Sequence, residues 1–248
     1  MEGWRVGSLV SILPTFQSSK NFFRMNISSR NPSSTDAAEP QWPETPSALL
    51  IMGKRQGTKL ENKQLWGRVA LAAALWYSAP HPKPYLIFVA SDIHGPRLTP
   101  DAQVVKMMLV ERFHIPGDYV ITRQLTNCTL LEVRMARVLR RAYGLAHIFA
   151  LTHLYHAARA QRYLNEVLPD ASVIPVHPAI LDEIQFPLEA TALWLDIQAL
   201  VKDSQPSRWD TLRETMIEWL LNQAHTLDRR GRFERRLARL LRPGAYGR

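Results

Sequence analysis

Short apolar runs alternate with longer stretches of helical period from residue 48 onward, and turn residues separate them. The runs lack the alternation of a sheet with one solvent-exposed face, which indicates strands covered on both sides. Strands that alternate with helices are typical of βαβ units and a parallel sheet. The predicted strands are Ala48 to Met52, Tyr85 to Ala90, Tyr119 to Thr122, His147 to Leu151 and Ser172 to Val176.

Capping and stop signals define the helices between these runs. Thr99-Pro100-Asp101 combines an N-cap residue with a proline at the first helical position. Gly144 supplies a C-terminal stop. Helices are predicted over Leu65 to Tyr77, from Pro100 through Phe113, over Thr129 to Tyr143 and over Ala157 to Leu168. The pattern predicts an α/β fold, a three-layer Rossmann-like sandwich with a mainly parallel sheet of about five strands.

The chain divides into three predicted parts. Residues 1–46 are rich in Ser, Asn and Pro without periodicity, so a disordered or weakly ordered leader is expected. Residues 47–187 carry the Rossmann-like domain. Residues 188–248 form a helical extension, in which Ser207 is expected to cap a helix with Asp210 three residues on.

Charge and cysteine content restrict the compartment and the partners. The single Cys128 suits a reducing, cytoplasmic location. The leader has basic residues and no acid between Glu2 and Asp36, which also resembles a transit peptide, and Met25 is an alternative start. From Asp228 onward, eight arginines against two acids give +6 of the net +9, so the rest of the chain carries only +3. Nucleic acid is therefore not an expected partner of the core domain.

Polar side chains follow the predicted strands, where open parallel sheets bind ligands. Ser91, Asp92 and His94 follow the second strand, and the stretch LTHLYHAARA, residues 151–160, completes the fourth. His156 and Arg159 are three residues apart and share a helix face near an anion-attracting N-terminus, which Thr152 caps or directly precedes. These residues predict a site for a phosphate or carboxylate.

Structural and metal-binding interpretations compete with this prediction. His156 could hydrogen-bond a backbone carbonyl, Arg159 could pair with Glu132 or Glu166, and Cys128 fits a small buried hydrophobe. Zinc or manganese could be held by His153, His156, Asp92 and His94, but spacing alone does not support a metal and none is assigned. The chain has no G-x-G-x-x-G, P-loop or G-x-S-x-G, which disfavours common nucleotide-binding and esterase sites.

The order of these motifs resembles the YdcF/SanA/ElyC-like family, a Rossmann-like group of largely unassigned biochemistry. The family's Thr-Ser-x-Tyr-His-x-x-Arg-Ala pattern is matched by residues 152–160, with His153 in place of the serine. Gly53 resembles the glycine that closes the family's first strand, and Arg68-Val69 its Arg-Leu. Thr126 and Thr129 resemble the Ser and Thr of its Ser-x-Asn-Thr-x-Glu-Asn segment.

The acidic half of the family pattern differs. Ser91-Asp92-Ile93 replaces Ser-Gly-Gly, Asp101 stands for a glutamate, and Leu131-Glu132 replaces Glu-Asn. Together, the residues and the resemblance predict a ligand site made of Gly53, Arg68, Ser91, Thr126, Thr129, Thr152, His153 and Arg159. His156 is the expected general acid or base, because an imidazole ordinarily titrates near neutrality, and Asp92 or Asp101 is the expected second carboxylate.

The resemblance implies a metabolite site without naming a reaction. Family members are linked to S-adenosylmethionine binding and to envelope or peptidoglycan-precursor processes, so an anionic, nucleotide-like or S-adenosylmethionine-like ligand is expected and the cofactor stays open. A non-catalytic binding module or degenerate family member is the alternative. Residues 229–242 form a predicted basic amphipathic helix, which can contact an anionic membrane or RNA or simply dock on the domain.

Overall fold

The computed structural model of the chain describes residues 42–53, 59–89, 100–124, 128–187, 190–228 and 232–241. Most of the predicted leader, including Met25, lies outside the described residues. The same holds for both ends of the predicted basic helix, residues 229–231 and 242.

Strands and helices alternate along the described chain, as the apolar pattern predicts. The strands are β1 Ser47–Ile51, β2 Tyr85–Val89, β3 Val120–Arg123, β4 His147–Thr152 and β5 Ser172–Pro175. The helices are α1 Lys59–Ser78, α2 Asp101–Met107, α3 Thr129–Tyr143, α4 Leu154–Val167, α5 Pro178–Leu181, α6 Thr191–Asp203, α7 Arg208–Leu227 and α8 Arg232–Leu241.

The five described strands form one parallel sheet in the order β3-β2-β1-β4-β5. Leu50 of β1 lies opposite Ile87 on one side and Ala150 on the other. The chain therefore winds outward from β1 to β3 and then from β4 to β5. This arrangement confirms the prediction of a three-layer Rossmann-like α/β fold with helices after it.

Both faces of the sheet are covered, which explains why its strands are apolar at consecutive positions. Leu49 and Ile51 of β1 belong to a core that includes α1, α2 and α6. Ala48 and Leu50 belong to a second core that includes α3 and α4. Successive strand side chains point to opposite faces, so each face of β1 needs apolar residues of its own.

The helices differ from the predicted ones mainly at their ends. α4 begins at Leu154 rather than Ala157, with His153 at its N-cap and Thr152 ending β4. Tyr155 and His156 therefore lie in the first turn of the helix rather than in the loop before it. α2 ends at Met107, and a π-helical turn continues to Arg112. α3 has the predicted bounds and ends at Gly144, whose φ of 63° is the left-handed conformation that glycine favours.

The helices after residue 190 pack on both layers. α6 lies on α1, where a Cβ on Gly67 would come within 2.1 Å of Ser204 Oγ, so glycine permits this close approach. α7 packs on α4 and α8, and the Ser207 side chain caps α7 by accepting from the Asp210 N–H, as predicted. Among the described helices, none combines the length and apolarity that a membrane crossing requires.

Candidate functional site

The candidate site lies at the carboxyl edge of the sheet between β1 and β4. The strand order changes direction between these two strands, and open α/β sheets bind ligands at this switch point. Gly53 follows β1, and His153 follows β4. The starts of α3 and α4 lie side by side here, because Thr129 of α3 is within hydrogen-bonding distance of His156 of α4.

Arg68 is built into the end of β1. Its Nη1 donates to the carbonyl oxygens of Met52 at 2.7 Å and Gly53 at 2.9 Å. The guanidinium is almost wholly buried, and burial lowers its pKa from the ordinary value, an effect that Tyr155 and Glu132 partly offset. Arg68, a predicted ligand residue, therefore fixes the backbone of the site in this structure.

His153 belongs to a buried chain of hydrogen bonds that joins three helices. Arg68 Nε donates to His153 Nδ1 at 3.2 Å, and His153 Nε2 lies 3.2 Å from Ser204 Oγ. Ser204 Oγ in turn donates to the Val201 carbonyl at 2.7 Å. Since Nδ1 accepts, the ring proton is on Nε2. His153 therefore connects α1, α4 and α6 in this structure, and its ligand role stays a prediction.

Glu132, in the first turn of α3, places a buried carboxyl beside the end of β1. Its Oε2 accepts from the Gly53 N–H at 3.2 Å, and a Cβ on Gly53 would lie 2.7 Å from Oε1. Burial raises the pKa of Glu132 to about 7, although the Gly53 N–H, Arg68 and Arg159 all favour the charged form. The carboxyl thus exchanges its proton near neutral pH.

His156 is held between two threonine hydroxyls. Thr152 Oγ1 lies 2.8 Å from Nδ1, and Thr129 Oγ1 lies 3.3 Å from Nε2. All three side chains are buried. Thr129, Thr152 and His156, predicted separately as site residues, therefore come together in one cluster, in which two hydroxyls contact the imidazole ring.

Arg159 is occupied by carboxylates of the chain itself. It donates to Glu218 of α7 from Nε and, at 3.2 Å, from Nη2, and to Glu234 of α8 from Nη1 at 2.8 Å. Burial disfavours its charge, but these carboxylates outweigh burial and hold the pKa of Arg159 well above its ordinary value. Arg159 is thus paired, though with Glu218 and Glu234 rather than with Glu132 or Glu166.

The Arg159 cluster extends along α4. The Tyr163 hydroxyl donates to Glu234 Oε2, and burial raises the pKa of this tyrosine, which keeps it a donor. His225 Nε2 lies 3.2 Å from Glu166 Oε2. The cluster anchors α7 and α8 on α4, and each of the three guanidinium nitrogens of Arg159 donates to a carboxylate.

The structure does not gather every predicted site residue. Asp101 is buried at the start of α2, whose core lies on the face of the sheet opposite α3 and α4. Ser91, Asp92 and Thr126 lie outside the described residues, as does His94 of the hypothetical metal site. Among the side chains that the structure describes, no group of His, Cys, Asp and Glu is arranged to hold a metal ion.

Four residues of the site were not predicted to take part in it. Glu132 has a local signal, since it follows Thr129 by three residues, but the sequence predicted it only as a possible partner of Arg159 and as part of the pair that replaces the family's Glu-Asn. Glu218 stands on the apolar face of its helix between Ile217 and Leu221, which marks it for burial. Glu234 and Ser204 have no comparable local signal.

Comparisons of this chain with protein-family models, with curated proteins and with solved structures found no match.

Proposed function

We propose that the chain binds a small anionic metabolite at the sheet edge between β1 and β4 and exchanges protons with it through Glu132 and His156. The observation that carries the proposal is the buried Glu132 carboxyl, with a pKa of about 7, at the switch point of the sheet. A carboxyl tuned to neutrality is what general acid–base catalysis requires. Glu132 thereby takes the role that Asp92 or Asp101 was expected to fill.

The helix starts favour an anion as the ligand. α3 begins after Cys128 and α4 after His153, and neither N-cap side chain accepts from the first turn. The first amides of a helix have no partner inside it, and the helix dipole adds positive potential there. A phosphate or carboxylate group suits this position.

The resemblance to the YdcF/SanA/ElyC-like family narrows the ligands to test. It favours S-adenosylmethionine and nucleotide-like molecules and links the proposed activity to envelope-precursor metabolism. Cys128, which is the chain's only cysteine, favours the cytoplasm as its location.

The proposal changes the role of Arg159. Its donors are committed to Glu218 and Glu234, so it is a positioning residue that holds α7 and α8 against α4. His156, by contrast, contacts the hydroxyls of Thr129 and Thr152, and we assign it the exchange of a proton with the ligand.

A thermal-shift screen tests binding at this site. The ligands are S-adenosylmethionine, nucleotides, sugar phosphates and divalent metals, and the proteins are the wild-type chain, His156→Asn and Glu132→Gln. His147→Asn is the matched control, because His147 begins β4, at the end of the strand away from the one that leads into α4 and His156. We expect a ligand that stabilises the wild type and the control but not His156→Asn; equal shifts in all variants would place the ligand elsewhere.

A non-catalytic binding module is the alternative. The hydrogen bonds that His156 and Arg159 make within the chain favour it. Both ring nitrogens of His156 contact threonine hydroxyls, and each guanidinium nitrogen of Arg159 donates to a carboxylate of the chain itself. Unchanged affinity in Glu132→Gln, without turnover of the bound ligand by the wild type, would support this alternative.

α8 supports a second candidate function, contact with an anionic membrane or RNA. Phe233 and Leu240 are exposed, and so are Arg232 and Arg236. An arginine-rich amphipathic helix binds anionic surfaces by charge and by its apolar side chains. Binding of the chain to anionic vesicles and to RNA is measured at increasing salt. Arg236→Gln should weaken binding to both partners, whereas Leu240→Ser should weaken binding to vesicles only. If the wild type binds neither partner, this function is excluded.

A further inference from the structure

α7 carries a row of large apolar side chains on its solvent side. This row, here called the α7 stripe, consists of Trp209 at 81% exposure, Leu212 at 62%, Met216 at 59% and Trp219 at 48%. The other side of α7 holds the buried Ile217 and Leu221, and the helix contacts α4. The stripe is therefore additional to the face that holds the helix in the fold.

The stripe has the width of a seam between two helices. Its members are spaced three, four and three residues apart, which is the a/d spacing of a heptad. The neighbouring positions Arg213 and Gln223 are polar and exposed. A helix that lies on a bilayer needs a broad apolar face with a basic face behind it. The first two turns of α7 instead hold Arg208 and Arg213 against Asp210 and Glu214, with no net charge.

The order of residue types along the α7 stripe is symmetric about its midpoint. It runs aromatic, aliphatic, aliphatic, aromatic, and its midpoint falls at residue 214. Two copies in antiparallel orientation place Trp209 opposite Trp219 and Leu212 opposite Met216, so that one patch covers its own copy about a two-fold axis. Such isologous contacts are the commonest way in which soluble chains pair.

The exposed area suits a weak pair. Burying an aromatic side chain removes roughly 150–250 Å² of surface, so the stripe offers about 500 Å² per copy. A standard interface buries about 800 Å² per partner. Residues beside the stripe on α7 must supply the rest of the buried area. An interface at the small end of the usual size range is expected to have a dissociation constant in the micromolar range.

We propose that a second copy of this chain covers the α7 stripe, in an antiparallel α7 pair about a two-fold axis. The pairing also brings Arg213 of each copy to the same edge near the axis, because a residue next to the midpoint lies close to its own counterpart. These like charges repel, and salt that screens them strengthens the pair.

Analytical ultracentrifugation of the full chain tests the proposal, over about 1 to 500 µM to bracket the expected affinity. We expect the wild type to move from monomer to dimer and Leu212→Glu to raise the dissociation constant more than tenfold. Leu195→Glu is the matched control, since Leu195 is equally exposed on α6, and it should leave the constant unchanged. Unfolding curves of each variant check that it folds; a monomeric wild type, or unchanged dimerisation of Leu212→Glu, overturns the proposal.

Charge reversal at Arg213 tests the antiparallel geometry. Arg213→Glu alone again places like charges at the axis, so it should dimerise no better than the wild type. A mixture of wild type and Arg213→Glu places Arg opposite Glu and should form mixed dimers several times tighter than either pure dimer. Mixed dimers no tighter than pure ones would overturn the geometry. Stripe-dependent binding of the monomer to anionic vesicles would assign the stripe to a membrane and overturn the proposal.

Discussion

The Glu132 carboxyl makes the stability of the fold depend on pH. Its pKa is about 7 in the folded chain, against an ordinary value of 4.5. Between pH 4.5 and pH 7 the Glu132 carboxyl is protonated in the folded chain and ionised in the unfolded chain. Its contribution to the free energy of unfolding is therefore fully present below the ordinary pKa and is lost as the pH rises through 7. The complete loss is roughly 3 kcal/mol.

Glu132→Gln should abolish most of this loss, because the amide stays neutral at every pH. Urea unfolding at about pH 5 and about pH 8 measures the difference, and the variant should exceed the wild type at the higher pH by up to roughly 3 kcal/mol. Glu111→Gln, a change at an exposed acid, should keep the wild-type pH dependence. Identical pH profiles for wild type and Glu132→Gln would show that the carboxyl is ionised in the fold.

Arg159→Met should strongly destabilise the chain. It leaves Glu218 and Glu234 buried without their cation, and breaking a buried pair in this way costs about 3–5 kcal/mol. Arg137→Met removes an exposed arginine of α3 and should change the free energy of unfolding little. Adding Glu218→Gln and Glu234→Gln to Arg159→Met should recover much of the loss; if Arg159→Met is as stable as the control, the cluster contributes nothing.

Contacts between residues near the end of a strand could be predicted from the sequence. Contacts between residues that are distant in the chain could not. Thr152 and His156 are four apart, so a helix start places them in contact wherever the helix packs. Thr129 joins them because parallel strands end at one edge. Glu218 and Glu234 approach Arg159 through the docking of α7 and α8, which no local pattern specifies. The sequence therefore predicted a ligand-binding role for Arg159 from its position on α4, because it could not show that Glu218 and Glu234 pair with it.

At the scale of elements, the contact between α1 and α6 depends on Gly67. A Cβ there would meet Ser204 Oγ at 2.1 Å and its Cβ at 2.2 Å, so Gly67→Ala should force the helices apart at a cost of about 1–3 kcal/mol. Gly117→Ala is the control, because a Cβ at Gly117 meets nothing within 4 Å.

A double variant separates this overlap from the gain in helix propensity that alanine brings at position 67. Gly67→Ala with Ser204→Gly restores the space but removes the hydroxyl that His153 contacts. It should therefore be more stable than the sum of the two single changes predicts. Strict additivity of the two free energies would contradict the close contact.

Element types followed from the apolar pattern, whereas several element ends did not. Continuous apolar runs, which indicate strands covered on both faces, and helix stop signals such as Gly144 can both be recognised in a short segment of the sequence. α1 starts six residues before the predicted Leu65, because Lys, Glu and Gln in its first turns favour a helix without contributing to an apolar pattern. α4 takes in Tyr155 and His156 because Thr152 stays in the strand, where it pairs with Pro175.

At the scale of the whole molecule, the C-terminal helices complete the core around α4. Glu234 of α8 accepts from both Arg159 and Tyr163, and it lies beside His225 of α7. One α8 carboxylate thus links the sheet domain to both final helices. Removing it leaves a buried guanidinium with one partner and a buried phenol without its acceptor.

Truncation after Asp228 should therefore lower the free energy of unfolding by more than a surface helix would, by about 2–5 kcal/mol from the unmatched charge and hydroxyl. Glu234→Gln in the full chain should account for much of this loss, since its amide oxygen can accept only part of what the carboxylate accepts. Leu240→Ser, at an exposed position of the same helix, should account for almost none. Urea unfolding of the three variants and the wild type checks the order; a truncated chain as stable as the full one would show that α8 is a detachable segment and that Arg159 is satisfied by Glu218 alone.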